Sequence, residues 1–281
     1  MFEHILFPVD FSPSCVAMAA YVQRAAQIFG AHVTLVHVCD LASHNGFELY
    51  ARRPDEIAED HWNLARNNLD LFLESEFPDS TYPRLLVAGD AAGVIVETAR
   101  KGKFDLIIMP THAGRFRRIL LGSTTARVLN GADCPVLTTE HSAIGKPRSL
   151  EHRNWVCGIG LSGDSERVLR YATNASLAAG AKLSVIHVIQ TSKSKIDAET
   201  RGPSEEERQA RQRIAELQNA IGSDASVRIA FGPVRETLLQ EVQQLSGDVL
   251  VIGRSLHGAF GRLEDLTYSL VRDSPCPVVS V

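Results

Sequence analysis

The sequence predicts an α/β chain of two open, five-stranded parallel sheets in tandem, and three observations carry that reading. The first is a repeat, which decides the fold before any single element does. Phe2-Glu-His-Ile-Leu-Phe-Pro-Val-Asp10 is a short apolar strand, followed by Phe-Ser-Pro-Ser and a helical pattern ending at Gly30. Trp155-Val-Cys-Gly-Ile-Gly160, then Leu-Ser-Gly-Asp and a helix ending at Gly180, restates it 150 residues later. The second observation is the order of the later landmarks. His32–Val38 matches Lys182–Val188, Arg84–Gly89 matches Val227–Gly232, and Asp105–Met109 matches Asp248–Ile252. Both halves then close on Cys-Pro-Val, at Cys134 and Cys276. The third is that strands such as Leu106-Ile-Ile-Met109 are apolar throughout, as in a parallel sheet covered on both faces.

Each half therefore reads β-α-β-α-β-α-β-α-β. Ser12 and Pro13 suit the cap and first turn of the first helix, and Gly30 suits its C-terminal cap. Residues 54–76 place Ile57, Leu64, Ala65, Leu69, Phe72 and Leu73 on one helical face. Residues 204–221 open with Ser204 and Glu207 in capping-box spacing. Charges on these two helices read as solvated faces. A stretch rich in His, Ser, Gly, Lys and Pro around 140–153 reads as a linker, giving domains at 1–141 and 153–281.

Bulk properties narrow the partners. The chain has 281 residues, 44% apolar and 22% charged, with net charge −4. That balance argues against nucleic acid as the main partner, and Arg115, Arg117 and Arg118 form too short a basic stretch to reverse it. No apolar run approaches the roughly 18 residues of a membrane span, and the N-terminus enters a strand with no signal-peptide pattern. Five cysteines, none in a Cys-x-x-Cys pair, argue against disulfides and zinc. A cytoplasmic protein without a membrane partner is expected.

In an open parallel sheet a ligand sits beyond the carboxyl ends of the strands, where strand order reverses. Two segments of the first half meet there. One is Pro8-Val9-Asp10. The other runs from Met109 and Pro110 through Thr111, His112, Ala113 and Gly114 to Gly122-Ser123-Thr124-Thr125. A glycine that lets the backbone approach, Ser123 as N-cap, and hydroxyls around a helix N-terminus favour an anion. The plainer alternative is a capped helix beneath a basic loop.

The pattern Ile-Leu-Phe-Pro-Val-Asp…Leu-Val-His-Val…Asp-Leu-Ile-Ile-Met-Pro-Thr-His-Ala…Leu-Leu-Gly-Ser…Cys-Pro-Val resembles the universal stress protein family, one family domain per half. The resemblance implies a Rossmann-like, adenine nucleotide alpha hydrolase-like fold, with ATP in the cleft just described. Asp10 would contact the adenosine end beside Pro8 and Val9, and Val38 or its neighbour Val36 would pack near the base. Met109 and Pro110 close the strand, Thr111, His112 and Gly114 would line the phosphate loop, and Gly122, Ser123 and Thr124 would hold phosphates. Mg²⁺ would come with the nucleotide. The family's loop is Gly-x-x-Gly, nine residues, then Gly-Ser or Gly-Thr. Here Pro110 and Ala113 stand at the two glycines, and eight residues separate Ala113 from Gly122.

The second half departs further. Gly160 replaces Asp10, and Glu264 and Asp265 occupy the positions of Gly122 and Ser123, where carboxylates would repel a phosphate. ATP is expected in the first repeat alone, with the second as structural mate. Gly158-Ile-Gly160-Leu-Ser-Gly163 fits a dinucleotide fingerprint, but no acid closes the next strand, which ends Val188-Ile-Gln190. No Walker A lysine, Gly-x-Ser-x-Gly elbow or His-Glu-x-x-His is present. Three functions follow: a regulatory ATP binder, a ligand-free interaction module, or a slow ATPase using His112. The resemblance also implies pairing through the last strands, within the chain or in a homodimer, since an exposed edge strand seeks a partner.

Overall fold

A computed structural model describes residues 2–40, 54–111, 121–139, 152–191, 204–254 and 265–281. The chain divides into two compact units, the first essentially residues 1–137 and the second carrying residues 148–281.

In the first unit the elements run β1 (His4–Pro8), α1 (Pro13–Phe29), β2 (His32–Cys39), α2 (Pro54–Leu71), β3 (Arg84–Ala88), α3 (Ala91–Lys101), β4 (Leu106–Pro110), α4 (Ser123–Gly131) and β5 (Val136–Thr139). The strands lie in the order β3-β2-β1-β4-β5. The pairs β1–β2, β1–β4 and β2–β3 are parallel. Strand order therefore reverses at β1, between β2 and β4. The second unit repeats this with β6 (Asn154–Gly158), α5 (Ser165–Ala178), β7 (Lys182–Ile189), α6 (Glu205–Ile221), β8 (Ser226–Phe231), α7 (Val234–Gln244), β9 (Val249–Ile252), α8 (Asp265–Asp273) and β10 (Val278–Ser280). Its order is β10-β9-β6-β7-β8, again parallel. The open five-stranded sheets predicted from the repeat are present in both units.

Helices cover both sheet faces, so central strands are buried along their length. Ile5, Leu6, Phe7, Leu106, Ile107 and Ile108 are fully buried in the first unit, and Val156, Cys157, Val249, Leu250 and Val251 in the second. This burial is the physical content of the apolar runs read from the sequence.

The duplication extends to individual bonds. Asp105 Oδ2 accepts from the N–H groups of Glu3 and His4, at 2.6 and 2.9 Å, tying the start of β4 to that of β1. Asp248 Oδ2 accepts from Arg153 and Asn154, both at 2.8 Å. Phe11 and Leu161, just after β1 and β6, share a left-handed conformation at φ 61° and 57°. Non-glycine residues rarely adopt it, and here both copies do.

The ends of α1 and α6 follow the predicted chemistry. Ser12 caps α1, Gly30 closes it at φ 65°, and Ser204 caps α6 through the N–H of Glu207. However, α2 stops at Leu71, short of the predicted 76. The buried Arg84 guanidinium donates to the carbonyls of Leu69, Phe72 and Phe77, drawing the chain out of the helix after its last turn. Leu64, expected on the buried face, is 59% exposed, whereas Ile57, Ala65 and Leu69 are buried. The linker predicted at 140–153 lies outside the described residues except for 152 and 153.

Candidate ligand site at the strand ends

A cavity of about 130 Å³ opens where strand order reverses in the first unit. It is lined by Pro8, Val9 and Asp10 from the end of β1, Val36 and Val38 from β2, Met109 and Pro110 from β4, and Thr124 from α4. Eight of the residues singled out in the sequence thus share one cavity, and both Val36 and Val38 contribute. Thr111 is buried just beyond β4, and its carbonyl accepts from Gly122 N–H at 3.0 Å, pinning the two ends of the intervening loop together. His112 and Gly114 lie outside the described residues.

Asp10 is held by its own turn. Its Oδ1 accepts from Ser12 N–H at 3.0 Å and from the Cys15 thiol at 3.1 Å. His37 Nδ1 lies 2.8 Å from the carbonyl oxygen of Val9, which accepts only, so Nδ1 carries the proton. That bond fixes the end of β1 against β2, and the ring of Phe11 covers the imidazole, with centroids 4.2 Å apart. Thr125, read from the sequence with Thr124, lines the cavity too, as do Cys15, His37, Ala91 and Ile95, which were not assigned to the site. Cys15 follows from its place one helical turn beyond Asp10; Ala91 and Ile95 come from a helix whose packing no local motif announces.

The start of α4 corrects one detail. Gly122, not Ser123, is the N-cap, at φ −57° and ψ 138°, and no side chain caps the helix. Its carbonyl accepts from Ala126 N–H at 2.8 Å, so Ser123 is already the first helical residue. An α-helix leaves its first N–H groups without intrahelical partners, and Gly122, having no side chain, caps none of them. Thr125 Oγ1 donates to the carbonyl of Pro110 at 3.1 Å, anchoring this turn beside the end of β4. Asp90 caps α3 through Gly93 N–H, and Arg127 grips both its oxygens at 2.6 and 2.7 Å. The Arg127 bonds, with the Gly93 N–H, hold the Asp90 carboxyl below the usual range. No group of side chains suited to a metal ion occurs among the described residues.

The universal stress protein family model matches residues 1–139 and again 151–281. The chain belongs to the universal stress protein family. Universal stress protein MJ0531 of Methanocaldococcus jannaschii is 31% identical over 147 residues, spanning 50% of this chain and 83% of that protein. A universal stress protein from Archaeoglobus fulgidus matches in structure over 100% of this chain and 98% of its own, at TM-score 0.71 and 21% identity. A universal stress protein crystallised in complex with cAMP covers 47% of this chain and 97% of its own, at TM-score 0.39 and 21% identity.

The second universal stress protein repeat has its own cavity, of about 340 Å³, in the equivalent place. Gly160 stands for Asp10, Ser165 for Cys15, Gly253 for Pro110 and Leu266 for Thr124, and all four line it. Gly160 leaves open the room that a side chain takes at Asp10, whereas the space beside Gly253 is taken by Asp164. The unit read as structural mate therefore has the roomier of these two cavities. Of the three glycines in the apparent dinucleotide fingerprint, only Gly158 is closely packed, a Cβ there meeting the end of the Leu238 side chain at 2.9 Å. Gly160 and Gly163 have room for a side chain. No helix among the described residues is long and apolar enough to cross a membrane.

Proposed function

We propose that the first repeat binds an adenine nucleotide, ATP with its Mg²⁺, and that occupancy makes the protein a nucleotide-responsive regulator in a stress response. The observation that carries this is the juxtaposition of an apolar cavity, a fixed carboxylate and an uncapped helix start. Val9, Val36, Val38 and Met109 offer apolar surface for a base, and Asp10 offers an acceptor for ribose or base donors. The cavity takes only the nucleoside end; the phosphates would lie toward the first turn of α4, whose N–H groups and Ser123 and Thr124 hydroxyls suit an anion. Mg²⁺ would arrive on the phosphates. The cAMP complex of a relative is consistent with this class of ligand.

Restriction to the first repeat rests on Gly160 in place of Asp10 and on Asp265 as the first residue of α8, where α4 begins with Ser123. A carboxylate at a helix N-terminus answers the dipole that a phosphate would otherwise use. In the same reading the protein works in the cytoplasm, in keeping with five cysteines of which none forms a Cys-x-x-Cys pair.

Calorimetric titration of ATP into the wild type and Ser123→Glu tests the assignment. Saturable binding near one site per chain, weakened at least tenfold by the substitution, is expected. Equal affinities would remove α4 from the site, and no binding by the wild type would remove the nucleotide.

A further inference from the structure

The cavity of the second repeat has a chemistry of its own. Its volume of about 340 Å³ falls in the ordinary range for small-molecule sites, roughly 300–1,000 Å³. Its apolar body is made by Val168, Ile186, Leu238, Ile252, Leu266 and Leu270. Among the described residues lining it there is no lysine or arginine, and Asp164 is the one formally charged group.

Three polar groups set the preference. The Ser165 hydroxyl is buried, its residue 3% exposed, and has no hydrogen-bond partner among the described residues although Ser165 lines the cavity. An unpaired buried hydroxyl is destabilising, and a ligand that bonds to it would recover that cost. Asp164 is fixed at 2.5 Å by the hydroxyl of Ser162 and lies against the backbone of Gly253, where a Cβ would meet Asp164 Oδ2 at 2.5 Å. His187 Nδ1 is 2.9 Å from the carbonyl oxygen of Ile159, so that nitrogen donates and a neutral ring keeps Nε2 as an acceptor. A carboxylate, an imidazole acceptor and an unpaired hydroxyl favour a ligand that donates hydrogen bonds.

We propose that the second repeat is a binding site for a small organic ammonium compound with an apolar body of about 10–15 non-hydrogen atoms. The ammonium pairs with Asp164, a polar atom of the ligand satisfies Ser165, and the body fills the space left open beside Gly160. Anionic ligands are rejected by the same carboxylate. The two universal stress protein repeats thus read ligands of opposite charge.

Titration of the whole chain with tryptamine and with indole-3-propionate, matched in size and opposite in charge, tests this by calorimetry or ligand-observed NMR. Tryptamine should saturate at millimolar concentration or below and bind at least tenfold more tightly than the acid. Asp164→Asn should cut that preference below threefold, and Ser165→Ala should weaken tryptamine at least threefold. Gly160 has no positive φ, and the nearest atom to a Cβ there is Ser162 Oγ at 3.7 Å, so Gly160→Leu fills the cavity without backbone strain. It should abolish tryptamine binding and leave the affinity for ATP at its wild-type value. Failure of both probes to saturate, equal affinity for the acid, or unchanged tryptamine binding by Gly160→Leu would overturn the proposal. An ATP affinity that falls with Gly160→Leu would instead place the nucleotide in the second repeat.

Discussion

Cys15 Sγ lies 3.1 Å from Asp10 Oδ1, so a buried thiol donates to the carboxylate that lines the first cavity. The contact orders the acid and silences the thiol together. Burial first, and the Asp10 charge second, push the Cys15 thiol up to about 12. Cys157, wholly buried in β6, is pushed to about 12 by burial alone.

Stability should consequently fall in alkali. A thiol whose pKa rises on folding favours the folded state below the unfolded value near 9, and that advantage is lost as pH climbs from 9 toward 12. The loss is on the order of 1 kcal/mol per pH unit for each such thiol. Urea midpoints at pH 8.5, 9.5 and 10.5 should decline for the wild type and decline less steeply for Cys157→Ala. Parallel slopes would show that Cys157 titrates alike in both states.

The two ends of the first cavity should separate by ligand. Asp10→Ala should weaken ATP and adenosine by similar factors, about tenfold, because its partner is in the nucleoside. Ser123→Glu should weaken ATP at least tenfold while leaving adenosine within about twofold. Parallel titrations of both ligands distinguish these patterns; equal loss of adenosine in the two variants would contradict the division.

The paired aspartates offer a test of the duplication. Asp105→Ala and Asp248→Ala each remove a carboxylate that holds two backbone N–H groups. Each should cost about 1–3 kcal/mol, and the double variant should show close to the sum, as independent sites do. Chemical denaturation of the four proteins measures this.

Arg84 has no counterpart among these repeated bonds. Its guanidinium serves the carbonyls of Leu69, Phe72 and Phe77, so Arg84→Met should destabilise by about 2–4 kcal/mol through unsatisfied carbonyls. Arg84→Lys should recover only part of this, because an ammonium lacks the planar fork. Full recovery by lysine would mean that charge rather than geometry matters.

Much of this architecture is legible from local pattern. Ser12, Gly30 and Ser204 mark helix ends because caps satisfy backbone groups close in sequence. Asp10, Pro110 and Thr124 converge because the βαβ order dictates which strand ends become neighbours. The shift of the α4 cap from Ser123 to Gly122 was not legible, since it depends on a bond from Gly122 to Thr111 across a loop. The end of α2 was hidden for a similar reason: its terminator, Arg84, sits on the next strand. The larger cavity of the second repeat includes the room left by the side chain missing at Gly160, and a one-dimensional pattern registers such space poorly.

The imidazole latch joining β1 to β2 recurs between β6 and β7, yet the residues lining the two cavities differ at Asp10 and Gly160, Cys15 and Ser165, Pro110 and Gly253. Folding requirements and ligand chemistry are thereby written in separate sets of positions. A duplicated chain of this kind can diverge in what one half recognises while the other half keeps its task, because changing the lining leaves the latch intact.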